Sequence, residues 1–172
     1  MSLLNTPVPS FALRAYHAGA FEDVSADALA GHWSVLFFYP ADFSTVCPTE
    51  LYDLHEHYAE FQRMGVEIFA VSTDSHYAHQ AWAESTTMIG DLEFPMLADH
   101  TQDLTRALGV LIDGAGVAER ATFVVDPARQ IKAIEISDGP VARKAEELVR
   151  KVKAAQFVAA TGKMCPATWT AG

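Results

Sequence analysis

Half of the 172 residues are hydrophobic and a fifth are charged, with 10 Gly and 8 Pro, the composition of an ordinary globular domain rather than of a disordered or fibrous chain. The 22 acidic residues against 12 basic ones give a net charge of −10, which repels a phosphate backbone and leaves no basic stripe for nucleic acid or anionic lipid. The longest apolar run, Trp33–Tyr39, is far short of the roughly 20 residues that cross a bilayer, and no basic region leading into an apolar stretch opens the chain. No membrane partner or secretory leader is expected, and the cytoplasm is the expected compartment.

In chain order, the first strong signal is Trp33-Ser-Val-Leu-Phe-Phe-Tyr39, an aromatic and β-branched run closed by Pro40. It predicts a central strand buried on both faces. Leu51, Leu54, Tyr58 and Phe61, three and four positions apart and followed by Gly65, predict a helix over 49–63. Then come a strand over 66–72, a helix over 76–88, a strand over 94–98 opened by Phe-Pro, and a short helix over 101–108. The runs 121–125 and 131–136 flank the turn-rich Asp126-Pro-Ala-Arg-Gln130 and predict a β-hairpin. A long stretch over 141–160 places Leu148, Val149, Val152, Ala155 and Phe157 on one side and charges on the other, predicting a final helix. The alternation predicts an α/β protein with a central mixed β-sheet flanked by helices. No repeat or linker interrupts it, so 1–172 is expected to be one domain, with a distinct C-terminal segment over about 161–172.

The segment richest in chemistry is Phe38-Tyr-Pro-Ala-Asp-Phe-Ser-Thr-Val-Cys-Pro-Thr-Glu50. A buried strand ends at Pro40, a loop follows, and Cys47 opens an amphipathic helix with Pro48 in its first turn, where a missing N–H costs nothing. Free amides and the positive end of the helix dipole favour a thiolate there. The same position also suits a small buried hydrophobe. The second cysteine, Cys165, lies in Gly162-Lys-Met-Cys-Pro166, too far along the chain for a CxxC motif. In a reducing compartment the two are either inert thiols or a redox couple.

Pro40, Ser44 and Cys47 stand in the spacing P-x-x-x-S/T-x-x-C. Around them, Val71-Ser-Thr-Asp74, His79-Gln-Ala-Trp82, Asp103-Leu-Thr-Arg106, Arg120-Ala-Thr-Phe-Val-Val-Asp-Pro127, Lys153-Ala-Ala-Gln156 and Cys165-Pro-Ala-Thr-Trp169 extend the pattern over nearly the whole chain. The sequence resembles the typical two-cysteine peroxiredoxins, in particular the bacterial alkyl hydroperoxide reductase peroxidase subunits. The resemblance implies a thioredoxin-like fold and a thiol-dependent peroxidase acting on hydrogen peroxide and organic hydroperoxides. It implies Cys47 as the peroxidatic nucleophile, Pro40 as a shield, the Ser44 hydroxyl as a hydrogen-bond partner of thiolate and peroxide, and Arg120 as the cation that stabilises the thiolate and the leaving oxygen. Glu50 and Arg143 stand where family members brace that arginine. Cys165 of a partner subunit would resolve the Cys47 sulfenic acid as a disulfide, which a flavoprotein or thioredoxin-like dithiol reductase reopens. The implied assembly is a homodimer, with five dimers in a ring.

Some positions depart from the pattern. Thr45 replaces the usual second Phe of the loop, and Ala78 occupies a spot, often polar, associated with contact between dimers. The chain ends at Gly172, shortly after Cys165, and carries neither a Gly-Gly-Leu-Gly loop (the corresponding stretch is Asp113-Gly-Ala-Gly116) nor a C-terminal Tyr-Phe helix. Resolution is therefore expected to outrun over-oxidation. The pairs His55/His57 and His76/His79 lack a convincing third ligand, so neither a metal nor a cofactor is expected. Trp33, Trp82 and Trp169 read as packing residues. The alternative to a peroxidase is a redox-switched holdase chaperone or peroxide sensor using the same cysteines.

Overall fold

A computed structural model describes residues 2–171. Its centre is a seven-stranded sheet in the order β2-β1-β5-β4-β3-β8-β9, formed by β1 (Ala12–His17), β2 (Ala20–Ser25), β3 (Trp33–Phe38), β4 (Val66–Ser72), β5 (Met96–Ala98), β8 (Arg120–Val125) and β9 (Ile131–Ser137). A two-stranded ribbon, β6 (Leu111–Ile112) with β7 (Val117–Ala118), precedes β8. The sheet is mixed: β3–β4 and β4–β5 are parallel, whereas β1–β2, β1–β5, β3–β8 and β8–β9 are antiparallel.

Strand β3 is central and buried on both faces. Val35, Phe37 and Tyr39 enter one core layer, while Leu36 and Phe38 enter the other, as the two-residue period of a strand requires. Against the first layer pack α1 (Cys47–Glu56), α2 (Tyr58–Arg63), α3 (His76–Ser85), α4 (Thr87–Gly90) and α6 (Ala145–Thr161). The short α5 (Asp103–Ala107) packs against the second.

The helix expected over 101–108 runs only Asp103–Ala107, behind a left-handed Gln102 at φ 66°, and the other three expected helices are shorter or broken, each for a local reason. The helix expected over 49–63 divides at His57, whose ring Nδ1 lies 2.8 Å from the Asp53 carbonyl and competes for the acceptor that a continuous helix would use. The one expected over 76–88 stops at an extended Thr86, after Ser85 Oγ donates to the Trp82 carbonyl at 2.7 Å. The one expected from 141 starts only at Ala145, whose N–H is met by Asp53 Oδ2 at 2.8 Å, and it ends where Gly162 turns left-handed at φ 67°. The β1–β2 hairpin was not expected. Its two-residue turn puts Ala18 and Gly19 at φ 48° and 85°, and an alanine in that region gives little sequence signal.

Candidate active site

Strand β3 delivers the chain to Tyr39, and the loop from Pro40 to Val46 leads into Cys47, the first residue of α1. Pro48 occupies the first turn. Cys47, Glu50, Leu51 and Leu54 share one buried face of α1, because residues three and four apart align on a helix. That face looks across to β8. Ala121 pairs with Phe38 at the end of β3, so Arg120 stands one residue beyond, level with the start of the loop. Arg120 and Thr122 then project from the same face of β8.

Four buried polar residues meet there. Arg120 Nη1 lies 3.3 Å from Cys47 Sγ and donates to Glu50 Oε2 at 2.7 Å, while its Nε donates to the Gly139 carbonyl at 2.6 Å. Arg143 approaches the same carboxylate from the segment before α6. Its backbone N–H and Nε donate to Glu50 Oε1 at 2.8 and 3.0 Å, and its Nη2 donates to Oε2 at 3.0 Å. The remaining Nη1 donates to Thr122 Oγ1 at 3.0 Å, and the guanidinium carbon sits 3.6 Å from the centre of the Phe37 ring. Cys47 has no exposed surface, and Glu50, Arg120 and Arg143 are all buried.

Burial alone would penalise the Glu50 carboxylate, but the hydrogen bonds and charge of Arg143, followed by Arg120, override it and hold its pKa below the ordinary value. Desolvation likewise opposes the charge on Arg120, yet the bond to Cys47 and the charge of Glu50 raise its pKa above the usual one. Burial lowers that of Arg143, partly offset by Glu50. A carboxylate whose pKa is depressed by folding contributes stability in full above its unfolded value of about 4.3 and loses it as pH falls through the folded one. Glu50→Gln should therefore lower the thermal midpoint at pH 7 by roughly 10 °C, with the gap to the parent narrowing toward pH 3. A gap that stays constant with pH would show that Glu50 is not held ionised.

The other sequence-selected residues lie nearby in different roles. Pro40 and Ser44 are half-buried in the loop, and the Ser44 hydroxyl donates to the Ala41 carbonyl at 2.8 Å rather than to the sulfur. Cys165 is half-buried after α6, and both cysteines are free. It lines a groove of about 500 Å³ with Trp33, Ala133, Ala155, Val158 and Ala159. That groove is lined mainly from α6, β9 and Trp33, and none of its residues belongs to the cluster of Cys47, Glu50, Arg120 and Arg143. Among the described residues no group of three or more His, Cys, Asp or Glu is placed to hold a metal.

Sequence reasoning missed Thr122, Phe37 and the Gly139 carbonyl as partners of the two arginines. Thr122 was within reach, since it stands two residues from Arg120 on a predicted strand and so shares its face.

The chain matches the family model described as the AhpC/TSA family over residues 4–134. It is 47% identical to alkyl hydroperoxide reductase C of Salmonella typhimurium over 173 aligned positions, covering 100% of this chain and 92% of the relative. Among solved structures it resembles Enterococcus faecalis AhpC, with a TM-score of 0.94 and 52% identity over 96% of this chain and 100% of that one. It also resembles the reduced 2-Cys peroxiredoxin of Plasmodium vivax, with a TM-score of 0.94 and 28% identity over 98% of this chain and 90% of that one.

Proposed function

This chain belongs to the AhpC/TSA family and is a thiol-dependent peroxidase with a thioredoxin-like fold, and from that premise we propose that Cys47 is its peroxidatic thiol and Cys165 its resolving thiol. The observation that carries the assignment is the 3.3 Å approach of Arg120 Nη1 to Cys47 Sγ at a buried helix start. The Cys47 thiolate attacks one peroxide oxygen, the O–O bond breaks, and the other oxygen leaves as an alkoxide or hydroxide that takes up a proton. Cys47 is left as the sulfenic acid. Arg120 is charged at any working pH and stands where negative charge passes from sulfur to oxygen. Glu50 and Arg143 hold Arg120 in place, Pro40 covers the sulfur, and the Ser44 hydroxyl, released from the Ala41 carbonyl, turns to the peroxide.

The sulfenic acid then condenses with the thiol of Cys165, forming the disulfide and releasing water, and a dithiol reductase of the flavoprotein or thioredoxin-like class restores both thiols. A disulfide needs Cα atoms within about 7 Å. Within one chain both thiols are free and Cys165 sits in a groove that includes no residue of the Cys47 cluster, which supports a resolving thiol from a partner subunit. We read residues 1–172 as one catalytic domain whose segment 161–172 crosses to that partner. The open edge of β9, where Ile136 is exposed, suits pairing of two such subunits. Exposed Phe43 and Tyr77, near Thr45 and Ala78, offer a second contact for a ring of five dimers. Among the described residues no helix is long and apolar enough to cross a membrane, and a cytoplasmic site of action suits two free thiols. The relatives' names do not favour the holdase or sensor reading.

The test is a non-reducing gel of peroxide-treated protein. The parent should run as a covalent dimer, and Cys165→Ser as a monomer that consumes about one equivalent of peroxide and stops, because attack needs only Cys47. Sedimentation of the reduced protein reads the assembly. A covalent dimer formed by the Cys165 variant, or a monomer in sedimentation, would refute the shared site.

A further inference from the structure

Cys47 has no exposed surface, so its sulfenic acid reaches another thiol only if the Pro40–Val46 loop and the first turn of α1 move. What holds that loop lies on its far side from Arg120. Asp42 is buried in the loop. Its Oδ1 accepts from the Tyr39 hydroxyl at 2.7 Å, its Oδ2 lies 2.7 Å from Nδ1 of the fully buried His79 in α3, and its backbone N–H donates to Asp74 Oδ2 at 3.0 Å. Asp74 is in turn fixed by Ser72 Oγ at 2.7 Å, from the end of β4. His79 Nε2 faces the Leu97 carbonyl of β5 at 3.2 Å, so the ring is set from both sides. The Phe43 ring then lies 6.0 Å from that of Trp82 on α3. Burial, then the charge of Asp42, raises the Tyr39 pKa well above its usual value, so its hydroxyl stays a donor. Beyond Phe43, which is left-handed at φ 58°, the Ser44 side chain bonds within its own loop.

We propose that His79, acting through Asp42, is a positioning residue: it pins residues 39–43 to α3 and β5 and confines the opening of the pocket to residues 44–50. The proposal rests on the two-thiol reading above. The pin thereby sets the competition between two fates of the sulfenic acid. In one, Cys47–SOH and Cys165–SH give the disulfide and water. In the other, Cys47–SOH and a second peroxide ROOH give the sulfinic acid Cys47–SO2H and ROH. A broken pin lets the whole loop open, which favours the disulfide.

The experiment compares His79→Gln with His79→Asn. An Asn amide can place a donor near the position of Nδ1 and keep the bond to Asp42, whereas Gln carries its amide past it. In the reduced His79→Gln protein, amide hydrogen exchange over 39–43 should quicken about tenfold, with the rest of the sheet unchanged. The peroxide concentration giving half-maximal Cys47 sulfinate should rise about tenfold, while kcat/KM for peroxide stays within about threefold. His79→Asn should fall near the parent in both readouts. Tyr39→Phe, which removes one bond to Asp42, should shift both in the same direction by less, and it serves if His79→Gln does not fold. Unchanged exchange over 39–43, an increase spread over the whole sheet, or an unmoved sulfinate threshold would overturn the pin. A parent protein that forms no Cys47–Cys165 disulfide would instead overturn the two-thiol reading, and the exchange measurement would still decide the pin.

Discussion

Cys47→Ser is expected to remove peroxide turnover, lowering kcat by about 10⁴-fold or more, the scale seen when a catalytic nucleophile is deleted. A serine hydroxyl has the shape of the thiol but cannot ionise at working pH, and the helix start and Arg120 do not bridge that difference. The fold should survive. The core around Leu51, Leu54 and Phe37 does not depend on the sulfur, and Glu50 still bonds both arginines. Peroxide consumption with a supplied dithiol reductant measures it, beside the thermal midpoint. Turnover within tenfold of the parent would place the chemistry elsewhere.

Arg120→Met should lower kcat/KM for peroxide by roughly 10²–10³-fold, the range for removing one preorganised donor from a developing oxyanion. The new side chain fills the space of the aliphatic stem, and Arg143 alone still makes three bonds to Glu50, so the carboxylate is not stranded. Arg120→Lys is the informative partner. It restores the charge but cannot reach sulfur, the Glu50 carboxylate and the Gly139 carbonyl together, as the fork of the guanidinium does. It should recover only part of the loss. Equal rates for the Arg120→Met variant and the parent, read by pseudo-first-order peroxide decay, would remove Arg120 from the mechanism.

What could be read before folding was whatever is local. The run 33–39 announced a strand buried on two faces because both faces are apolar, and the step from that strand through Pro40 to Cys47 and Pro48 announced a helix start. Glu50 was readable as a companion of Cys47, three positions on along a helix. Arg120 and Arg143, by contrast, stand 73 positions from Cys47 and 93 from Glu50, and only the register of β8 on β3 brings the first to the sulfur. The family resemblance pointed to both where spacing could not. The contact between Asp42 and His79 crosses 37 positions from a loop to a helix face, and no periodicity encodes it. The broken helices escaped notice because His57 and Ser85 compete for backbone carbonyls through side chains that most helices tolerate.

The site around Glu50 holds two guanidiniums and one carboxylate in a space shut from water, so one positive charge is left over. In the mechanism proposed above, the attacking thiolate would balance the tally. Attack on the peroxide ends that balance, because the sulfenic acid is neutral and the departing oxygen carries the negative charge away. At that moment the closed pocket would enclose an uncompensated cation, a state that costs on the order of a few kcal/mol in a buried setting. The arrangement that makes the sulfur reactive is thus least comfortable immediately after it has reacted. On the mechanism proposed above, the chemical step would itself favour the outward movement of Cys47 toward its resolving thiol.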